Sequence, residues 1–171
     1  MYEHFLNWPK TAQSDVYLTL TESKEAYAGN TRIVALVAEC AFQAEVSTRP
    51  SAPYRLRIFT PFFGDCPCFR FEAKGASHTN REDGSGLPSR SVPTPHFHKV
   101  SSDGYLRAYQ TSELADPRGA DDIANDVVLG TEEFCAELKL VGQSGGGIVL
   151  KNAFVQYTIP TGILDSASLP Q

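Results

Sequence analysis

The run V-A-L-V-A-E-C-A-F-Q-A-E-V, Val34 to Val46, decides the fold class. Its even positions Val34, Leu36, Ala38, Cys40, Phe42, Ala44 and Val46 are all apolar, while Glu39, Gln43 and Glu45 fall on odd ones. A period of two is that of a strand with one buried face, because successive side chains of an extended chain point to opposite sides. Downstream, Tyr54 to Thr60 alternates Tyr54, Leu56 and Ile58 against Arg55 and Arg57. Phe69 to Lys74 alternates Phe69, Phe71 and Ala73 against Arg70, Glu72 and Lys74. The intervening P-F-F-G-D-C-P, Pro61 to Pro67, is rich in turn residues, so the two runs are expected to pair as an antiparallel hairpin. Arg55, Arg57, Arg70, Glu72 and Lys74 would then share one charged face of the sheet.

Two further short strands, His96 to Val100 and Tyr105 to Gln110, flank S-S-D-G, whose Asp-Gly pair is a hairpin turn signal. Between the hairpins, residues 75–95 are rich in Gly, Ser, Pro and charge and carry no apolar period. They read as a long loop, and a loop of that length in a compact chain is often functional. Residues 112–130 are polar and acidic, with Ile123 and Val127 spaced for a short helix. Thr131 reads as the N-cap of a three-turn helix, with Glu132 and Glu133 in its first turn and Phe134, Cys135 and Leu138 as its apolar stripe. The glycines at 145–147 precede a final strand over residues 148–160, and residues 161–171 read as a loosely docked tail. The expectation is an α+β fold: a single antiparallel, twisted β-sheet of about six strands with one or two short helices packed late in the chain, in a single domain spanning residues 1–171.

With 171 residues, 42% apolar and 20% charged, the chain has the composition of a folded globular protein rather than a disordered one. No apolar run is long enough for a helical membrane span, and the opening M-Y-E-H-F-L-N-W-P-K has neither a basic nor an apolar signal region. A cytoplasmic location without membrane association is therefore expected, and in a reducing compartment Cys40, Cys66, Cys68 and Cys135 would be free thiols. Cys66-Pro67-Cys68 lacks the second cysteine pair of a zinc motif and reads as structural. The net charge of -5 conceals an asymmetry: Arg49 to Lys99 holds eight Lys/Arg and four Asp/Glu, a local +4, leaving -9 on the remainder. A basic third within an acidic chain suits an anionic partner such as a phosphate backbone.

Three of the four histidines, His78, His96 and His98, fall within that third. Histidine titrates nearest neutrality and is the commonest metal ligand. His96 and His98 lie two apart on one strand, which puts them on one face about 6 to 7 Å apart at a rise of about 3.3 Å per residue, and His78 would complete a triangle. Such a triangle supports two chemistries. Three imidazoles could hold zinc or another divalent metal with an open position for water, Glu72 or Asp83 serving as base. Without a metal, one histidine would take a proton from a ribose hydroxyl, a second would protonate the leaving oxygen, and Arg70 or Lys99 would stabilise charge on phosphorus. Asn80 reads either as a substrate contact or as a turn residue before R-E-D-G, and Arg55, Arg57 and Lys99 as substrate-binding cations. Gly75 and Gly84 sit in no P-loop or G-x-G-x-x-G context, which excludes those nucleotide sites.

The segment Arg70-Phe71-Glu72, then Gly75, His78, Asn80, Asp83 and Gly84, then Pro95-His96-Phe97-His98, resembles an uncharacterised prokaryotic domain family. That family has a strand ending in Arg-apolar-Asp, followed by G-x-x-H-x-N-x-x-G and P-H-x-H. The pattern is also distantly similar to small ribonuclease toxins paired with antitoxins. The chain departs from it by carrying Glu72 for the usual Asp, a longer loop between the histidine motifs and an added final strand. Cupin-like metal barrels also carry an H-x-H pair, but no glutamate follows His98 within a few residues. The resulting expectation is a His-dependent phosphodiesterase, ribonuclease-like, with His78, His96 and His98 as acid/base or metal-binding residues and Arg70 as phosphate clamp. Two alternatives stand beside it: a non-catalytic β-rich binding or inhibitor protein, such as a prophage accessory, with structural histidines, and a metal-dependent hydrolase of a small molecule.

Overall fold

A computed structural model describes residues 2–35, 38–49, 54–80, 91–101 and 104–152. After a short helix α1 (Tyr2–Asn7) come strands β1 (Lys10–Ala12), β2 (Val16–Leu20), β3 (Ala26–Ala35), β4 (Ala38–Ser47), β5 (Tyr54–Phe59) and β6 (Phe69–Glu72). Then follow β7 (His78–Thr79), β8 (Ser91–Val92), β9 (His96–Val100) and β10 (Leu106–Tyr109), helices α2 (Ser112–Ala115), α3 (Pro117–Asn125) and α4 (Val127–Leu138), and finally β11 (Leu140–Val141) and β12 (Leu150–Asn152). Ten strands among the described residues form one sheet whose main path runs β10-β9-β6-β5-β4-β3-β1-β11, with β2 beside β3 and β12 beside β2. Pairing is antiparallel except for β1 with β11 and β2 with β12. The α+β class, the antiparallel sheet and the late helices stand as expected from sequence, while the sheet is larger than six strands.

The run from Val34 to Val46 is not one strand. It is divided between the end of β3 and β4, which pair antiparallel with Ala35 opposite Ala38; Leu36 and Val37 lie outside the described residues. In β4 the even residues Cys40, Phe42, Ala44 and Val46 face the core as read, but in β3 Ile33 is buried and Val34 is 43% exposed. The phase changes because the register pairs Ile33 with Cys40 and Val34 with Glu39, so residues of opposite parity share a face.

The expected hairpin of β5 and β6 is present, with Leu56 opposite Phe71 and Arg57 opposite Arg70. So is that of β9 and β10. The apolar face of these strands packs against α4. Phe134 of α4 meets Phe42 and Phe69 at ring-centroid distances of 5.6 and 5.4 Å, and Phe97 lies 5.0 Å from Phe71 and 5.4 Å from Phe69. Such aromatic clusters bury large apolar area and fix the helix against the sheet. The Tyr54 hydroxyl donates to the carbonyls of Ile123 and Asp126. A Cβ on Gly130 would lie 1.8 Å from that hydroxyl oxygen, so only glycine lets α4 approach so closely.

Helix α4 begins five residues before the expected start. Its N-cap is Asp126, whose carboxylate accepts from the Val128 and Leu129 amides at 2.7 and 3.3 Å. Thr131 lies inside the helix, its hydroxyl donating to the Val127 carbonyl at 2.6 Å. Asp is as good a cap as Thr, and Val127 belongs to the apolar stripe, which a start at Thr131 would have left outside the helix. Lys10, buried in the core, donates to the carbonyls of Leu6, Trp8 and Leu138 and so ties the N-terminal turn to the end of α4. Burial lowers its pKa to about 8.

The expected loop 75–95 contains a two-stranded ladder of β7 and β8, with His78 opposite Val92; residues 81–90 lie outside the description, as do 161–171 and most of the expected final strand. Among the described residues no helix is long and apolar enough to cross a membrane.

Candidate metal centre

The site follows from the register of β6 and β9. Arg70 stands opposite His98 and Glu72 opposite His96, and all four side chains leave the face opposite the Phe71 and Phe97 rings. Two cross-strand rows therefore run over the outer face: Gln43, Arg57, Arg70 and His98, and beside them Glu45, Arg55, Glu72 and His96. The outer face of β9 is covered as well as the inner one, so His96 and His98 are both fully buried. Asn80 holds part of that cover. Its amide nitrogen donates to the Ala108 carbonyl and its oxygen accepts from the Ala108 amide, both at 2.8 Å. It thus acts as a strand partner for β10, the edge of the sheet.

His96 donates from Nδ1 to the Pro93 carbonyl at 3.0 Å. A carbonyl can only accept, so the proton is fixed on Nδ1 and the lone pair of a neutral His96 is on Nε2. Gln110 holds the same segment from β10's end, donating to the Pro93 and Pro95 carbonyls at 3.3 and 2.9 Å. His96 Nε2 faces His98 Nε2 at 2.7 Å, and Glu72 Oε2 lies 3.5 Å from the first and 3.6 Å from the second. The imidazoles lean together far more closely than their strand spacing implied, their centroids 4.5 Å apart.

Glu72 is held well below the usual carboxylate range, chiefly by the His96 and His98 imidazoles against it and further by the Arg70 charge, with burial opposing them. Burial lowers the pKa of His98 to about 4, with the Arg70 and His96 charges adding to the effect against the opposing pull of Glu72. At neutral pH the pair is therefore a carboxylate and a neutral imidazole, the ionisation state of metal ligands. A carboxylate this acidic is a poor general base near neutrality, so Glu72 suits ligation rather than the base role considered for it.

Three donor atoms, Glu72 Oε2, His96 Nε2 and His98 Nε2, thus converge within 4.8 Å of one another. The circle through them has a radius of about 1.9 Å. An ion slightly off their plane would lie about 2.0 to 2.1 Å from all three, the bond length of zinc to imidazole and carboxylate. Two imidazoles favour zinc or another first-row divalent ion over calcium or magnesium, which prefer oxygen donors. The bond from His96 Nδ1 to a backbone carbonyl is the outer contact that orients metal-ligating histidines.

Other residues fall around this triangle. His78, on β7, places its ring 4.7 Å from that of His98 and 6.4 Å from that of His96. It stands at the rim, half-buried, its pKa lowered by burial first and then by the His96 and Arg70 charges. Glu72, not His78, therefore supplies the third donor. Arg57 donates to Gln43 and Glu45 at 3.1 and 3.2 Å, and Arg55 lies 4.0 Å from Glu45. Lys99 points to the other side of the sheet, its Nζ 4.8 Å from the centre of the Tyr109 ring, and does not join the site. Asn80 has both ends of its amide engaged by Ala108, as a structural residue would. Asp83 lies outside the described residues.

The cupin pattern places its acid downstream of the H-x-H pair; here the neighbouring strand brings one, Glu72, opposite His96. Alternation on the first hairpin already put Glu72 on the outer face, and only the pairing of β6 with β9 was missing. No protein-family model, curated protein or solved structure matches the chain. The likeness of the Arg70 to His98 pattern to the family described above rests on those residues alone.

Proposed function

We propose that the protein is a metal-dependent hydrolase centred on Glu72, His96 and His98. The observation that carries this reading is the convergence of three donor atoms, 2.7, 3.5 and 3.6 Å apart, around one ion-sized point. The bound ion would polarise the ester and lower the pKa of water. Hydrolysis adds the oxygen of water to the ester centre, breaks the bond to the leaving group and delivers a proton to it. His78, neutral at physiological pH and at the rim, is the group to accept the proton from water.

Ribonuclease-like phosphodiester cleavage and metal-dependent hydrolysis of a small molecule share this core. The metal-free version is less well served. A histidine acid/base pair must flank the phosphate, and 2.7 Å between two buried imidazole nitrogens leaves no room for it. The test is incubation with mixed RNA and with chromogenic carboxyl and phosphate esters, with and without chelator, beside Glu72→Gln. Turnover abolished by chelator, restored by zinc and lost in the variant supports the proposal. Turnover that survives chelator returns the chemistry to histidines alone. No turnover on any substrate favours a partner-binding protein with structural histidines, and capture of an antitoxin-like partner becomes the next experiment.

A further inference from the structure

Arg57 and Arg70 stand directly opposite each other on β5 and β6. Like charges in that relation weaken a sheet. Both are only partly exposed, 22% and 29%, so water screens them incompletely. Arg57 has good acceptors in Gln43 and Glu45. Arg70 does not. Its contacts are 3.7 Å to Glu72 Oε1 and 3.5 and 3.4 Å to the two ring nitrogens of His98. All are longer than the roughly 2.7 to 2.9 Å of a charge-assisted hydrogen bond. Its Nε is buried and has no hydrogen-bond partner among the described residues. Arg70 is thus a five-donor guanidinium held against the donor triangle with its hydrogen-bonding capacity largely unspent.

A divalent ion on Glu72, His96 and His98 would repel that guanidinium. The arrangement becomes favourable when an anion lies between them, and arginine forks with metal ions are the usual clamps on phosphoryl oxygens. We propose that Arg70, beside the Glu72/His96/His98 centre, binds a phosphoryl group, so that the ester hydrolysed is a phosphate ester. This rests on the hydrolase reading above. Water's oxygen bonds to phosphorus, the P–O bond to the alcohol breaks with its electron pair on the alcohol oxygen, and that oxygen takes up a proton. A terminal monoester and an internal diester share this chemistry.

The test is calorimetry on wild-type protein, Arg70→Gln and Arg57→Gln, each with its fold checked by circular dichroism. Zinc is titrated first, then inorganic phosphate, dimethyl phosphate or acetate. Arg70→Gln should bind zinc as tightly as wild type or more so, because a repelling charge is gone. Phosphate affinity should fall about tenfold or more in Arg70→Gln, from loss of charged hydrogen bonds, and change little in Arg57→Gln, whose side chain is engaged by Gln43 and Glu45. Acetate should bind much more weakly than phosphate, and a preference between the two phosphate probes tells monoester from diester. Phosphate binding undiminished in Arg70→Gln, or acetate bound as well as phosphate, overturns the inference while leaving the metal site intact. If wild-type protein takes up no zinc, the hydrolase reading fails on its own. Phosphate titrated into metal-free protein then judges Arg70 by the same comparison.

Discussion

Replacing Asn80 by Ala tests how the cover over the histidines is held. The Asn80 amide makes two hydrogen bonds of 2.8 Å, one to each backbone group of Ala108, and both residues are buried at 5% and 2% exposure. Each such bond contributes about 1 kcal/mol net, so their loss alone costs about 2 kcal/mol. Where water cannot reach the orphaned N–H and C=O of Ala108, their desolvation raises the cost to about 4 kcal/mol. For a chain of this size, about 2 to 4 kcal/mol corresponds to a fall in Tm of roughly 4 to 16 °C. Asn80→Asp should fall between the variant and wild type, since it keeps an acceptor for the Ala108 amide but sets a carboxylate against the Ala108 carbonyl. The assay is thermal denaturation of the three proteins at pH 7 without metal. An Asn80→Ala protein within 2 °C of wild type would refute the reasoning, because the amide would then be making no net contribution to the edge of β10.

Stability of the metal-free protein should depend on His98 in acid. Its folded pKa of about 4 lies below the unfolded value of 6.5, so the unfolded chain binds the proton first and stability falls as pH drops from 6.5 to 4. The loss is roughly 3 kcal/mol by that linkage, and Glu72, depressed in the same direction, adds to it below its ordinary pKa of 4.5. Urea titrations from pH 4 to 7 should show this slope in wild type and a shallower one in His98→Gln; equal slopes would contradict it. Gly130→Ala should cost at least about 2 kcal/mol, because the new methyl overlaps the Tyr54 hydroxyl, and adding Tyr54→Phe should recover part of the loss. Lys99→Ala should leave turnover of any hydrolysed ester within twofold of wild type, since Lys99 lies across the sheet from the site; a tenfold loss would place it in the chemistry after all.

Much of this fold was readable wherever alternation was clean. The β5–β6 and β9–β10 hairpins follow from apolar and charged residues falling on opposite parities, and the charged outer face follows with them. The Val34 to Val46 run misled because Ile33 through Val37 are apolar at every position. A buried phase could be drawn through them either way, and the reversal between β3 and β4 left no polar or glycine marker. Strand β3 was missed for a related reason: A-Y-A-G-N-T-R offers small residues in place of an apolar alternation. Thr131 and Asp126 are both capping residues, and only the packing of Val127 against the core separates them. At the site, residue type and spacing located His96, His98 and Arg70. The role of Glu72 depends on strand neighbours 24 residues apart in sequence, and that of Pro93 on a backbone carbonyl. Neither is a local property, so neither could be read along the chain.

Cobalt titration of the metal-free protein is the most direct test of the central claim. Co²⁺ bound by two imidazoles and a carboxylate in a tetrahedral site absorbs visibly, and zinc should displace it. One ion per chain is expected in wild type, with loss of the visible band in Glu72→Gln and in His98→Ala proteins whose circular dichroism matches wild type. Absence of the band in wild type, or its survival unchanged in both variants, would contradict the proposed metal centre.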